Sequence, residues 1–183
     1  LVFTSSPSVI ADGRNLRGVN EDYPYPKRHG AFYPATKAAA ERAVLAANSN
    51  ELWTVALRPH LIWGPGDTNL VPTIIERAKA GRLVRVGNGK NLTDVVYIDD
   101  CVAAHLCALD ALENNAACRG KAYFISQGEP VMMWDWIDDI LLRNGLPPVR
   151  RTLPVWAADV VALCCEGYAA CRGYKKEPLL TRF

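Results

Sequence analysis

Short strand-like runs alternate with helix-length text along this chain, and that alternation limits its fold more than any other feature. Leu1 to Ser5 reads as a short apolar strand ending in small polar residues. A turn-rich loop follows from Pro7 to Gly30, punctuated by Gly13, Gly18, Pro24 and Pro26. The Ala-rich text from about Phe32 to Asn48 predicts a helix with Glu41 and Arg42 on its polar side. Trp53 to Arg58 predicts a buried strand that Pro59 closes. After the turn Gly64-Pro65-Gly66-Asp67, Leu70 to Ala80 reads as a helix ended by Gly81. Leu83 to Val86 and Val95 to Ile98 are short strands, and Asp99 is expected to cap a helix reaching about Glu113. Ala122 to Ile125 is a further strand. Trp134 to Arg143 is a helix stopped at Asn144-Gly145, ahead of Pro147-Pro148. Strands joined through helices of this length need parallel crossovers, so the class is α/β.

The composition suits a globular chain of this kind: 183 residues, 50% hydrophobic and 22% charged. A formal net charge of +2 gives no ground for a nucleic-acid partner. The basic residues at Arg150-Arg151 and from Arg172 to Lys176 read as solvated surface. The six cysteines contain no C-x-x-C pair, which fits a reduced, cytoplasmic setting better than a disulfide framework. No His/Cys/Asp cluster has metal-ligand spacing, and no signal segment opens the sequence. Both ends read as cut, with Leu1-Val2-Phe3-Thr4 resembling mid-strand text and Thr181-Arg182-Phe183 closing no element. Val155 to Cys171 is apolar, with only Asp159 and Glu166 charged, which argues against a membrane span. Its expected role is a pocket wall carrying Trp156 and Tyr168. Peripheral contact with a membrane is the less favoured alternative, because the polar face is acidic.

Y-x-x-x-K occurs twice. In Tyr23-Pro-Tyr-Pro-Lys27 the two prolines forbid a regular helix, so this copy is loop. In Tyr33-Pro-Ala-Thr-Lys37 the proline falls in a first turn and Ala38 to Ala43 continues as strong helix former. Positions i and i+4 then share a face, bringing the Lys37 ammonium towards the Tyr33 phenol. A free tyrosine titrates near pH ~10 and shuttles protons poorly at neutrality, and a neighbouring ammonium favours the phenolate. Tyr33 is therefore the candidate acid/base. Ser5-Ser6 directly follow a strand, at the carboxyl edge where open α/β sheets bind ligands, and Ser6 is placed to hydrogen-bond the same substrate oxygen.

Four blocks carry a family resemblance: Phe3-Thr-Ser-Ser-Pro-Ser-Val9, Tyr33-x-x-x-Lys37, Arg58-Pro-His-Leu-Ile-Trp-Gly-Pro-Gly-Asp67 and Asp94-Val-Val-Tyr-Ile-Asp-Asp100. In order and spacing they resemble the extended short-chain dehydrogenases/reductases. The resemblance implies the C-terminal part of a Rossmann-type doubly wound parallel sheet with a small substrate-binding lobe. Residues 1–65 would form the second half of the dinucleotide-binding domain, and 66–183 the lobe together with returning Rossmann elements. It implies NAD or NADP as cofactor, Tyr33 as acid/base, Ser6 as orienting hydroxyl, and Lys37 also bonding the nicotinamide ribose. Pro59, His60 and Leu61 would lie against the nicotinamide. Ser5 is assigned to the cofactor side, and Ser6, Pro7, His60, Trp63 and Tyr97 to the substrate. The family's strand, G-x-x-G-x-x-G turn and helix are absent from this sequence, and no helix is expected after Gly87-Asn-Gly89.

Within that family, nucleotide-sugar epimerases and dehydratases commonly carry an Asn where this chain has Leu61 and an Arg where it has Thr93. An apolar and an uncharged residue suit a diphosphate poorly, since that group needs cationic donors. Arg58-Pro-x-x-Ile-Trp-Gly is instead similar to the block of 3β-hydroxysteroid dehydrogenases, sterol-decarboxylating enzymes and 2-alkyl-3-oxoalkanoate reductases. So are Trp134-Asp-Trp-Ile-Asp-Asp, Gly145-Leu-Pro-Pro148 and Glu177 to Phe183. The expected substrate is an alcohol or ketone on a large apolar skeleton. A nucleotide-sugar enzyme and a non-catalytic dinucleotide-sensing regulator are the rivals. The resemblance also implies a homodimer through the helix from Phe32 to Asn48.

Overall fold

The computed structural model describes residues 1–171. The basic run from Arg172 to Lys176 and the block from Glu177 to Phe183 lie outside the described residues, as do the side chains of Tyr168 and Cys171. In chain order the elements are β1 (Val2–Thr4), a 3₁₀ turn (Pro7–Ile10), α1 (Phe32–Ala46), β2 (Val55–Pro59), β3 (Leu61–Trp63), α2 (Leu70–Lys79), β4 (Arg85–Val86), β5 (Leu92–Thr93), β6 (Val95–Tyr97), α3 (Ile98–Asn114), β7 (Lys121–Ile125), β8 (Val131–Met132), α4 (Met133–Arg143), β9 (Thr152–Leu153) and α5 (Val155–Cys171). They fall into two compact units, 1–66 with 94–130 and 67–93 with the described residues from 131 onward.

The first unit is built on a parallel sheet in the order β1-β2-β7, with Thr4 opposite Leu57 and Pro59 opposite Ile125. Every residue of β2 is buried, as a strand covered on both faces must be. Val55 and Leu57 point to one face, where Leu112 of α3 and Cys118 pack on them. On the other face Arg58 meets α1, and its guanidinium donates to both carboxylate oxygens of Glu41 at 2.7–3.0 Å. Glu41 is therefore fully buried (0% exposed), which corrects the expectation that it decorates a polar face. The long loop closes over the same side: Val9 and Ile10 pack on Ala38 of α1, and the Phe124 amide donates to Glu21 at 2.8 Å along the outer edge of β7. A charged loop side chain thus occupies a donor that an edge strand would otherwise present bare.

A second pair, β3 with β6, is also parallel and sets Trp63 opposite Tyr97. The residue after β3 must be glycine. Gly64 has φ +142°, and a Cβ there would lie 2.6 Å from Ile98 Cγ2. Asp99 does not cap α3, because the chain passes straight from β6 into the helix, with Tyr97 at the capping position. Asp99 and Asp100 sit inside the first turn, where their charge still suits the helix dipole.

The second unit packs α4 on α2. Trp134, Ile137 and Leu141 recur at helical spacing and meet Ile74 and Val149 in an apolar cluster. Asp67 organises the start of α2 by accepting from the amides of Asn69, Leu70 and Val71 at 2.7–2.9 Å. Among the described residues its ladders are two residues long, β4 with β9 and β5 with β8. Gly87-Asn-Gly89 leads into β5 rather than a helix. Val155 to Cys171 is helical as expected, with Ala158 and Ala162 buried. Trp156, expected to line a pocket, is instead 71% exposed. No described helix is long and apolar enough to cross a membrane.

Candidate active site

Parallel strands end together, and in the first unit β1 leads out into Ser5-Ser6 while β2 leads out into His60. The sheet continues its ladder through both loops: the Ser5 amide donates to Leu57 O at 2.6 Å and the His60 amide to Ile125 O at 2.9 Å. These hydrogen bonds fix Ser6 and His60 on the carboxyl edge.

The helix α1 brings Tyr33 and Lys37 to the same edge. Tyr33 is its second residue, with Pro34 in the first turn, and Lys37 follows one turn later on the same face. The Lys37 ammonium donates to the main-chain oxygen of Thr4, the last residue of β1, at 2.6 Å and lies 4.9 Å from the Phe3 ring. This bond ties the helix to the strand end that carries the serines. Tyr33 is 59% exposed, so its phenol is open to a ligand.

The serines divide their roles. Ser6 stands at the start of the 3₁₀ turn, with Pro7 next, and its Oγ accepts from the Ser8 amide at 3.2 Å and from the Ser8 hydroxyl at 2.9 Å. With both lone pairs engaged, its own O–H is left to donate, as a group orienting a substrate oxygen should be. Ser5 is buried, and its Oγ makes no hydrogen bond of regular geometry, although it lies close enough to help hold the Glu41 carboxylate ionised.

On the neighbouring strands, Pro59 is buried in β2, Leu61 is 38% exposed on β3, and His60 lies between them. The His60 ring stacks obliquely on Phe124 at 5.8 Å. Burial pulls its pKa below the usual imidazole value, against the opposing charge of Asp94, so it is neutral at pH 7. Trp63 and Tyr97 meet edge to face at 5.2 Å.

Two supports had no distinctive signal in the sequence. His105 Nδ1 contacts Cys101 O at 2.7 Å, where it must donate, so Nε2 accepts from the Thr4 hydroxyl at 2.8 Å. The histidine thereby steadies the residue that holds Lys37. The second is Tyr25, from the Y-x-x-x-K copy read as loop, whose hydroxyl donates to Glu41 at 2.5 Å. Burial alone would push the Glu41 carboxyl up. Hydrogen bonds from Arg58 and Tyr25, with the Ser5 hydroxyl close by, outweigh it and hold the pKa below the ordinary carboxylate value. The network clamps loop, helix and strand behind the site.

The profile of the 3-beta hydroxysteroid dehydrogenase/isomerase family matches residues 1–155. The chain belongs to that family. It is 47% identical to the 2-alkyl-3-oxoalkanoate reductase of Stenotrophomonas maltophilia (strain K279a) over 185 aligned positions, covering 100% of this chain and 56% of that protein. It is 39% identical to the bovine (Bos taurus) decarboxylating sterol-4-alpha-carboxylate 3-dehydrogenase over 159 positions, covering 85% of this chain and 45% of the relative. The chain spans about half the length of the curated relatives it matches. Among solved structures, a dTDP-glucose 4,6-dehydratase from Streptomyces venezuelae (DesIV double mutant), with NAD bound, superposes with a TM-score of 0.65 at 21% identity, covering 84% of this chain and 47% of that one. That likeness shows the Rossmann-type fold. This chain thus shares its fold with a nucleotide-sugar enzyme.

Proposed function

We propose that this chain carries the proton-transfer and substrate-binding part of an NAD(P)-dependent oxidoreductase. It interconverts a secondary alcohol and a ketone on a large apolar skeleton, of the sterol or 2-alkyl-3-oxoalkanoate type. The observation that carries the reading is the Lys37 ammonium held 2.6 Å from Thr4 O at the end of β1, with Tyr33 one helical turn before it and Ser6 two residues beyond Thr4.

In the reductive direction Tyr33 gives its phenolic proton to the carbonyl oxygen while Ser6 donates a hydrogen bond to that oxygen. In the oxidative direction the phenolate takes the alcohol proton. The residues present fit the nicotinamide end of a dinucleotide: Lys37 has N–H donors beyond the one given to Thr4, and Pro59, His60 and Leu61 form the neighbouring strand end. A nicotinamide held there supplies or accepts the hydride. The neutral His60 and the Trp63–Tyr97 pair offer no cation to a diphosphate and suit an apolar skeleton. The relatives' names point the same way, since they are a reductase of alkyl oxoalkanoates and a sterol dehydrogenase.

Tyr33→Phe in the cofactor-loaded protein tests the role. Turnover falls by about 10²-fold or more while cofactor affinity stays within about twofold. Unchanged turnover excludes Tyr33 as acid/base, whereas cofactor binding with no turnover in the parent protein favours the sensor alternative. Thermal stabilisation by a UDP- or dTDP-sugar, but not by a sterol or β-keto acid, favours the nucleotide-sugar alternative. We also place a homodimer on α1, where Phe32 is 89% exposed, and light scattering that returns a monomer mass removes it.

A further inference from the structure

A helix on the outside of a globular unit ordinarily turns its large apolar residues inward and its small or polar ones to water. In the second unit α5 does the reverse. Among the described residues Ala158 and Ala162 are its buried ones, whereas Trp156, Val160 and Leu163, recurring at helical spacing on the opposite side, are each more than half exposed. Cys164, beside them, is exposed as well. Asp159, a charge that argues against membrane contact on the sequence alone, lies at one edge of this stripe and does not interrupt it.

Taking such a stripe out of water is favourable, so it marks a surface that something apolar covers. What flanks it chooses among the occupants. Arg150 and Arg151, both exposed, stand just ahead of the helix, and Arg172, Lys175 and Lys176 follow it directly in the sequence. Two copies of the chain laid face to face along the stripe, parallel or antiparallel, would set one basic flank against another. An anionic lipid surface meets both flanks with opposite charge and receives the apolar stripe between them. Trp156 suits the headgroup level, where the ring is buried and its N–H stays wet. The contact is along the helix and not across the bilayer, since no described helix is long and apolar enough to span one.

We propose that α5 docks on the surface of an anionic membrane, with Trp156, Val160 and Leu163 entering the headgroup boundary and the flanking arginines and lysines meeting lipid phosphates. The proposal goes beyond the chemistry above and does not depend on it. Tyr33→Phe should bind vesicles as the parent does, so loss of the acid/base role and loss of the docking surface are read separately.

The test is flotation of the full chain with phosphatidylcholine–phosphatidylglycerol vesicles. The parent should float with them, bound about tenfold more tightly than to pure phosphatidylcholine vesicles, and added salt should remove most of that difference. Leu163→Glu, at an exposed position, should keep the thermal midpoint and weaken binding to both vesicles about tenfold. Arg150→Gln combined with Lys175→Gln should weaken binding to the anionic vesicles alone, again about tenfold. Brominated phosphatidylcholine should quench Trp156, read as the difference between the parent and Trp156→Phe. A parent that floats with neither vesicle overturns the proposal. In that event a dimer that Leu163→Glu turns into a monomer assigns the face to a second copy, and a lowered midpoint in Leu163→Glu assigns it to packing within the protein. Equal binding to the two vesicles overturns the anionic surface as the occupant. Quenching that Trp156→Phe leaves unchanged overturns α5 as the docking element.

Discussion

The two units bury different things. Behind its candidate site the first unit hides a full ion pair, with Glu41 at 0% and Arg58 at 2% exposure, bridged by the Tyr25 hydroxyl. The core of the second is an apolar cluster around Leu141, Trp134 and Ile137, and its ion pair between Arg85 and Asp138 stays partly open to solvent. A buried pair adds little net stability over an apolar core, but it makes geometry directional, since guanidinium and carboxylate lock in a two-bond fork. The contrast is that of a frame holding the proposed catalytic groups in register with a lobe whose shape is set by apolar volume. The sharpest break in that comparison is Arg58→Met. It leaves the Glu41 carboxylate buried without its cation and should cost about 3–5 kcal/mol, read by denaturant unfolding. Pairing it with Glu41→Leu should recover most of the loss. A double variant as unstable as the single one shows that the pair was not the cause.

Leu141→Ala makes the matching cut in the second unit. The side chain is fully buried, and its loss should cost about 3 kcal/mol through transfer and cavity terms. pH separates the two losses. The folded-state pKa of Glu41 lies below the ordinary 4.5, so its contribution is complete above that value and fades as pH falls through the lower, folded value. His60, lowered from 6.5 by burial, adds in the same sense, contributing fully above 6.5 and fading below. The gap between parent and Arg58→Met should therefore shrink in acid below about pH 4.5, while the gap for Leu141→Ala stays flat. Parallel pH profiles for the two variants contradict the contrast.

What the sequence discloses follows the same division. The strands β1, β2, β6 and β7 are legible because a buried parallel strand is a short apolar run between turn residues. The ladders at β3, β5, β8 and β9 are equally short or shorter and contain no buried residue, so no interior apolar run marks them. Tyr33, Lys37 and Ser6 are visible because helix spacing and a strand end are local facts. Their supports are not. Glu41 looks like solvent-facing charge in a helix, and only a strand residue seventeen positions away makes it an interior group. Tyr25 sits in proline-rich loop text that says correctly that it is irregular, but nothing about where the loop docks. Asp99 was a reasonable cap on composition. It fails because β6 runs into α3 without the break that a cap requires.

The smallest expected effect tests the frame at its finest point. Ser8 touches no reacting group, yet its hydroxyl and amide both donate to Ser6 Oγ. Removing that hydroxyl in Ser8→Ala frees a lone pair, and the Ser6 proton is then no longer confined to the outward direction. One ordinary hydrogen bond is worth about 1 kcal/mol, so kcat should fall about fivefold with KM little changed, and Ser8→Thr should restore it. A purely structural role would lower the melting temperature of Ser8→Ala without this split between kcat and KM. A larger loss, close to that of Ser6→Ala itself, would place Ser8 against the substrate and redraw the division between the groups that react and those that aim them.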